Sequence, residues 1–281
     1  MTNTRPKHFE LLLFTTDTAI AKECMDAGVD AIITDWENKG KSERQKGFFT
    51  QINNQSAADL NEMRKAVGGK IICRINGYNE ASTKNEVEAA IDNGANEILL
   101  PMVSHLKEPE QVLHQINGRC GFGILVETDN AVKIAAQLAQ LPLSRVYVGL
   151  NDLHIDKKLP NLFYPFLDDT ISYLRSIFYN MPFGVGGLTQ TAGGEPIPSS
   201  LLMNQYALLQ TNFTFLRRSF LKDLQFAASA KALVSNIRNG LDHAKAAPLY
   251  VQQQKEAELK DMIKCWKPYE LAETSILNMV G

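Results

Sequence analysis

Eight short, mostly apolar runs separated by amphipathic stretches constrain the fold of this chain more than any other feature of its sequence. The runs cover residues 10–16, 31–36, 70–76, 97–102, 121–128, 145–150, 183–189 and 213–218. Apolar runs of this length are typical of parallel strands buried on both faces, and the stretches between them have helical periodicity. Alternating strands and helices predict a parallel α/β sheet. Eight such units favour a single closed (β/α)8 TIM barrel over an open, doubly wound sheet.

The chain length agrees with one barrel and leaves a surplus at the C-terminus. A (β/α)8 barrel takes about 250 residues, and this chain has 281. We therefore predict a barrel domain over residues 1–246 and a C-terminal helical extension over residues 247–281, where Pro248 interrupts the helical pattern. The extension exceeds what one barrel helix needs. It is expected to pack on its own barrel, to pack on a neighbouring subunit or to cover the site.

The charge and composition argue against several classes of partner. The chain has 29 basic and 31 acidic residues, a net charge of −2, so it lacks the basic footprint of a nucleic-acid-binding or lipid-binding domain. No apolar stretch approaches the roughly 18 residues that span a bilayer, and the N-terminus lacks the apolar region of a signal peptide. The cysteines are scattered without CxxC spacing, which predicts neither a zinc site nor a redox pair. These features predict a cytoplasmic protein without a membrane partner.

Polar residues cluster at or just after the C-terminal ends of the second, third, fifth and sixth strands. They are Asp35, Glu37, Arg74, Asn76, Glu127, Asn151, Asp152 and His154. Because the C-terminal ends of barrel strands converge on one face, we expect these side chains to share a site. Carboxylates that lie so close together raise each other's pKa unless a positive charge compensates. A divalent cation supplies such a charge.

Glu127 and Asp152 follow adjacent strands and are the natural pair of metal ligands. Mg²⁺ is typically bound by one or two carboxylates together with water and substrate oxygens. No histidine pair has the spacing of a zinc-binding helix, so a hard cation, Mg²⁺ or Mn²⁺, is favoured. The alternative is that these carboxylates are helix N-caps at the strand–helix junctions. That alternative is preferred for any one of them alone, whereas the full set beside Arg74 favours a metal site.

Arg74 and His154 are the other candidate catalytic residues of this cluster. A guanidinium group binds a carboxylate or phosphate through two parallel hydrogen bonds, although Arg74 would also serve as a structural ion-pair partner of Asp35 or Glu37. His154 is a candidate general acid or base because its reference pKa is about 6.5. The alternative for a loop histidine is simple exposure to solvent.

A second anion contact is expected near the ends of the last two strands. The glycine-rich segment 184–196 offers backbone N–H groups, as barrel loops in this position often do, although flexibility alone would explain the glycines. Arg217 and Arg218 end the eighth strand, and one of the two is expected to point outward.

Five segments occur in an order and at a spacing that resemble a known family. They are DAIITDWEN, CRING, ILLPMV, ILVETDNAV and VGLNDL, within roughly residues 10–155. In these segments the chain resembles the HpcH/HpaI aldolase/citrate lyase family, metal-dependent TIM barrels of the phosphoenolpyruvate/pyruvate superfamily. Beyond residue 160 no segment matches the family pattern closely.

The resemblance implies roles for the polar cluster. Glu127 and Asp152 would ligate Mg²⁺, Arg74 would hold the carboxylate of a pyruvate-like fragment, and Asp35 and Glu37 would lie beside the metal ligands or help to move protons. The expected substrate contacts are Arg74, Gly149, Asn151, Asn76 and Pro101.

The implied activity is that of a divalent-metal-dependent carbon–carbon lyase or aldolase, which forms a metal-stabilised enolate from a 2-oxo acid or a related carboxylate. The resemblance also implies a homo-oligomer, a trimer or hexamer, that exchanges C-terminal helices. One alternative uses the same site for a phosphoenolpyruvate-like or CoA-thioester substrate. A second alternative is an inactive barrel with a regulatory or assembly role, because Asn38 stands where the family carries an acid or a histidine and the general base is therefore unassigned.

Overall fold

Eight parallel strands form a closed barrel. The computed structural model describes residues 8–38 and 56–266. The strands are β1 Glu10–Phe14, β2 Ala31–Asp35, β3 Lys70–Arg74, β4 Glu97–Leu100, β5 Gly121–Val126, β6 Arg145–Val148, β7 Phe183–Leu188 and β8 Phe213–Leu216. Each strand pairs with the next, and β8 closes onto β1. The predicted TIM barrel is confirmed. Every strand begins at its predicted residue and ends one or two residues before its predicted end.

Helices connect the strands and surround the barrel. Within the described ranges they are α1 Thr18–Asp26, α2 Ala57–Ala66, α3 Thr83–Asp92, α4 Lys107–Ile116, α5 Asp129–Lys133, α6 Ala135–Leu138, α7 Leu150–Asp156, α8 Thr170–Ile177, α9 Ser199–Leu209, α10 Arg218–Phe226, α11 Ala230–Ala246 and α12 Leu249–Cys265. Asp17 caps α1, because its side chain accepts hydrogen bonds from the N–H groups of Ala19 and Ile20. None of the helices in the described ranges is long and apolar enough to cross a membrane.

Two layers of buried side chains hold the barrel together. Successive residues of a strand point to opposite faces, so Leu12 lies inside the barrel while Leu11 and Leu13 pack against the helices. Aromatic rings fill the upper interior, where the Tyr147 ring stacks on the Phe215 ring with centroids 3.7 Å apart. The interior is therefore a packed core, and any ligand must bind above it.

The described part of the C-terminal extension packs on its own barrel. Leu259 and Ile263 of α12 are buried. The Asn204 side chain of α9 donates a hydrogen bond of 2.9 Å to the carbonyl of Gln252. Asn161 donates to the carbonyls of Ile263 and Trp266, both at 3.1 Å. Up to residue 266 the extension thus contacts this barrel, and residues 267–281 lie outside the described residues. Packing on a neighbouring subunit stays a prediction.

An ionic cluster lies at the N-terminal end of the barrel, where the strands begin. Glu97 is completely buried. Its carboxylate accepts hydrogen bonds from Arg145 at 2.7 Å and from the Ser144 hydroxyl, and lies 2.6 Å from the Lys70 ammonium. Arg145 also binds Glu10 at 3.0 Å. Burial alone would raise the pKa of Glu97, but Arg145 and Lys70 outweigh it and lower the pKa to about 2. The sequence did not predict this cluster.

Candidate active site

Arg74 lies at the centre of an ion-pair cluster at the C-terminal ends of β2 and β3. Its Nε and Nη2 atoms donate to the two carboxylate oxygens of Asp35 at 2.9 and 2.8 Å, and its Nη1 atom lies 3.1 Å from Glu37. Its guanidinium also lies over the Phe14 ring, 4.9 Å from the centroid. Burial alone would lower the pKa of Arg74, but Glu37 and Asp35 reverse this and raise it. Arg74 is therefore held rigidly as a cation, and the ion pairs proposed as its structural alternative both exist.

Glu127 follows β5 and is held by the backbone of the neighbouring strand–helix connection. Its side chain is buried, and its Oε2 atom accepts a hydrogen bond of 3.0 Å from the Met102 N–H. Met102 has a φ of 54°, a left-handed backbone conformation that residues other than glycine seldom adopt. This backbone strain directs the amide at Glu127, and strain of this kind is often found at functional sites.

Gly149 leaves the space that Glu127 occupies. A Cβ atom added at Gly149 would lie 2.6 Å from the Glu127 Cγ atom and closer still to its Oε1 atom. Any larger residue at position 149 must displace this carboxylate. The sequence assigned Gly149 to substrate contact, and the structure gives it this additional steric role.

We expect the Gly149→Ala variant to bind Mg²⁺ about 10–100-fold more weakly than the wild type, since this is the usual effect of disturbing the groups that orient a metal ligand. Isothermal titration calorimetry with MgCl₂ measures the loss. The matched control is Gly68→Ala, where an added Cβ atom meets no atom within 4 Å. Equal Mg²⁺ affinity in the two variants would contradict the steric argument.

Among the described residues, two carboxylates and one cation influence the charge of Glu127. Burial raises the pKa of Glu127 to about 8, and the nearby carboxylates of Asp152 and Glu37 act in the same direction against the opposing effect of Arg74. An additional positive charge beside Glu127 and Asp152 would stabilise their ionised forms. Among residues 8–38 and 56–266, no group of three or more His, Cys, Asp and Glu side chains is arranged to hold a metal ion. The two carboxylates alone suit Mg²⁺, which keeps water and substrate oxygens as its remaining ligands.

A cavity of about 500 Å³ opens beside these two carboxylates, a volume suited to a small molecule. Glu127, Gly149, Asn151 and Asp152 line one side of the cavity. The remainder is lined by Arg217, Glu195, Tyr147 and apolar side chains, among them Phe163 and Trp266. The predicted metal ligands and two of the predicted substrate contacts therefore face one shared space.

The remaining predicted site residues lie around this cavity without lining it. Asp35, Glu37 and Arg74 form the cluster behind Glu127, whose pKa both Glu37 and Arg74 influence. The amide and side chain of Asn76 donate to Glu86, both at 3.0 Å, and its side-chain oxygen accepts from the Asn38 N–H. Pro101 is buried immediately before Met102. Substrate contact by Asn76 and Pro101 stays a prediction.

His154 is buried in α7 and is not the exposed loop residue of the alternative interpretation. Its Nδ1 atom lies within hydrogen-bonding distance of the Asn151 carbonyl oxygen. Burial lowers the pKa of His154 below its usual range, against the opposing effects of the backbone near Asn151 and of the Asp152 carboxylate. His154 does not line the cavity, and its role in proton transfer stays a prediction.

The segment 184–196 contributes differently from expectation. Its first five residues belong to β7. The carbonyl of Gly186 accepts hydrogen bonds from the Tyr147 and Thr214 hydroxyls, and the carbonyl of Gly187 accepts one from Arg217. At these two glycines the backbone therefore contributes carbonyl groups that accept hydrogen bonds from side chains, and not the N–H groups that were expected to bind an anion. Arg218 is exposed while Arg217 faces the cavity, which confirms that one of the two arginines points outward.

Sequence inspection missed Met102, Phe163 and Trp266. The left-handed conformation of Met102 has no signature in the segment ILLPMV. Phe163 and Trp266 lie far apart in the chain, yet their rings pack with centroids 5.7 Å apart at the cavity wall. Only the tertiary packing of α12 places Trp266 there.

No family model and no curated protein matches the sequence, whereas solved structures match the fold. CitE from Mycobacterium tuberculosis in complex with magnesium and pyruvate is similar with a TM-score of 0.57 at 16% identity, over 90% of this chain and 98% of that one. A citrate lyase from Burkholderia xenovorans gives a TM-score of 0.59 at 13% identity, over 96% of this chain and 88% of that one.

The structural likeness extends to barrels with other names. Tryptophan synthase from Mycobacterium tuberculosis gives a TM-score of 0.55 at 13% identity, over 85% of this chain and 94% of that one. At such identities the likeness shows the fold alone, because one barrel fold hosts many unrelated activities. The CitE and citrate lyase structures share with this chain the barrel fold that the five sequence motifs imply.

Proposed function

We propose that this protein is a divalent-metal-dependent carbon–carbon lyase or aldolase that acts on a 2-oxo acid or a related carboxylate. The observation that carries the proposal is the buried Glu127, which faces the cavity beside Asp152 and whose charge is influenced by the carboxylates of Asp152 and Glu37 and by the cation Arg74. The sequence motifs support it, as does the fold similarity to a CitE protein that binds magnesium and pyruvate. The proposed cofactor is Mg²⁺ or Mn²⁺.

Glu127 and Asp152 would hold the metal. When bound, a divalent cation supplies a Lewis acid that polarises a substrate oxygen. Met102 and Gly149 fix the position of Glu127, the first through its N–H group and the second by leaving space. Because this arrangement exists before a ligand arrives, little free energy is needed to organise the site on binding.

Arg74 would supply the fixed positive charge on the other side of Glu127. Asp35 holds two of its nitrogen atoms and Glu37 lies beside the third, so the guanidinium keeps one orientation. A cation held in this way stabilises negative charge that develops on a 2-oxo acid when a carbon–carbon bond breaks. Asp35 and Glu37 would act as positioning residues for Arg74.

The proposal is tested by isothermal titration calorimetry of Mg²⁺ and Mn²⁺ with and without oxalate, a planar mimic of the enolate of pyruvate. We expect oxalate to bind only in the presence of the metal. Arg74→Lys should weaken oxalate binding by at least about 10-fold, because an ammonium cannot keep all three contacts with Asp35 and Glu37 that hold the cation in place. The control Arg119→Lys alters an exposed pair with Glu88 and should leave oxalate affinity unchanged.

Two other outcomes would contradict the proposal in different ways. Metal binding without oxalate binding would contradict the 2-oxo acid class. Absence of metal binding would overturn the enzyme proposal and favour a regulatory or assembly role for the barrel.

A further inference from the structure

Arg217 is the cation that faces the cavity. It follows β8, and its Nε atom donates a hydrogen bond of 2.8 Å to the Gly187 carbonyl. Its guanidinium lies over the Phe163 ring, 5.6 Å from the centroid. None of the Asp and Glu side chains in the described ranges forms an ion pair with Arg217, whereas Arg74 has two carboxylates within 3.1 Å.

Arg217 is half-buried, and even partial burial without a carboxylate partner is unfavourable for an arginine. Burial lowers the pKa of Arg217, and only the Tyr206 and Tyr147 hydroxyls act in the opposite direction. A buried cation normally has an anionic partner, because its lost hydration must be compensated. One carbonyl and one aromatic face supply part of this compensation, and an anion that enters the cavity would supply the rest.

The proposed metal ligands and Arg217 lie on separate strand ends of the cavity, and Glu195, which forms no ion pair with Arg217, also lines it beside Pro196. Glu127 and Asp152 follow β5 and β6, while Arg217 follows β8 on the far side of Gly186 and Gly187 of β7. The apolar side chains of the cavity wall are Leu150, Leu162, Phe163, Pro196 and Trp266. A wall of this kind suits the methylene groups of a short aliphatic chain.

We propose that Arg217 binds a second anionic group of the substrate, at the end opposite the 2-oxo acid. The inference rests on the proposed function and specifies its substrate class: a 2-oxo acid whose aliphatic chain ends in a carboxylate or a phosphoryl group. The Gly187 carbonyl holds Nε, so the two terminal nitrogen atoms of Arg217 serve this group.

Matched ligand pairs test the inference in the presence of Mg²⁺. The pairs are 2-oxoglutarate with 2-oxopentanoate and 2-oxoadipate with 2-oxohexanoate, and each differs by the terminal carboxylate. In at least one pair the dianion should bind the wild type at least about 10-fold more tightly, the effect of a charge-assisted hydrogen bond. The phosphonate 2-oxo-4-phosphonobutanoate distinguishes the two anions, since tighter binding than 2-oxoglutarate would identify a phosphoryl substrate and weaker binding a carboxylate.

Arg217→Gln should abolish the preference for the dianion while oxalate affinity stays within about twofold of the wild type. Arg217→Lys keeps the charge and should retain part of the preference. The matched control is Arg175→Gln, because Arg175 also donates to backbone carbonyls, those of Leu209 and Phe178, and also lies over a ring, that of Phe183. Arg175 does not line the cavity, so this variant should keep the full preference.

Two results would overturn the inference alone. In the first, the wild type binds oxalate with Mg²⁺ but shows no preference for either dianion or for the phosphonate. In the second, Arg217→Gln keeps its fold by circular dichroism but loses oxalate binding, which would place Arg217 at the chelating acid itself. Failure of the wild type to bind oxalate with Mg²⁺ is a separate result that overturns the proposed function, and this inference with it.

Discussion

Glu127→Gln is expected to abolish metal binding while leaving the metal-free protein at least as stable as the wild type. The amide keeps the shape of the side chain and removes its negative charge. Because disturbance of a supporting group alone costs about 10–100-fold in metal affinity, loss of a ligand charge should cost more than about 100-fold. Calorimetric titration with MgCl₂ measures this loss.

The unchanged stability follows from the charges around Glu127. Its pKa is raised because burial, Asp152 and Glu37 all disfavour the carboxylate. A neutral amide avoids this repulsion, and functional residues are often unfavourable for stability in this way. Urea unfolding in the presence of EDTA compares the free energies of unfolding of variant and wild type without metal.

Glu108→Gln is the matched control for this experiment. Glu108 accepts hydrogen bonds from the Ser104 and His105 N–H groups, in the same β4–α4 connection that donates the Met102 N–H to Glu127. It does not line the cavity, so the variant should keep its affinity for Mg²⁺. A Glu127→Gln variant that binds Mg²⁺ as tightly as Glu108→Gln would refute the assignment of Glu127 as a ligand.

The strands could be predicted from sequence because their signal is local. Each of the eight apolar runs starts where its strand starts. Their ends were predicted one or two residues too late, because the residues after each strand leave the sheet and enter the strand–helix connections. Thr128, for example, lies beyond β5 and caps α5 by accepting the Ala131 N–H. The grouping of Glu127 with Asp152 followed from barrel geometry alone.

The details of the site depended on contacts between distant segments. The left-handed backbone of Met102 and the space left by Gly149 become visible only when β4, β5 and β6 are assembled. Sequence inspection could not choose between Arg217 and Arg218, because the strand alternation that would have separated them stops at Leu216. Sequence inspection also left open whether Arg74 pairs with Asp35 or Glu37, because Arg74 lies on a different strand from both of them.

Glu97→Gln is expected to destabilise the protein by about 3–5 kcal/mol, the usual effect of removing one member of a buried ion pair. The loss would leave Arg145, which is almost completely buried, with Glu10 as its remaining carboxylate. Lys70 would lose its buried partner as well. Urea unfolding at neutral pH measures the difference. Glu88→Gln, in an exposed pair with Arg119, is the control and should have little effect.

The same cluster predicts how stability depends on pH. The pKa of Glu97 is about 2 in the folded protein, below its ordinary value of 4.5. A depressed pKa stabilises the fold fully above the unfolded-state pKa, and this contribution is lost as the pH falls from 4.5 towards 2. The wild type should therefore lose about 3 kcal/mol over this interval through Glu97. Because Glu97→Gln lacks the titrating group, the difference in the free energy of unfolding between wild type and variant should narrow as the pH falls. A difference that stays constant would contradict the ionised state of Glu97.

Glu127 and Glu97 are both buried carboxylates of one barrel, yet neutralising them is expected to have opposite effects on stability because the cations around them differ. Glu97 has Arg145 and Lys70 at its own carboxylate, whereas the cation that acts on Glu127 within the described ranges is Arg74, which is itself paired with Asp35 and Glu37.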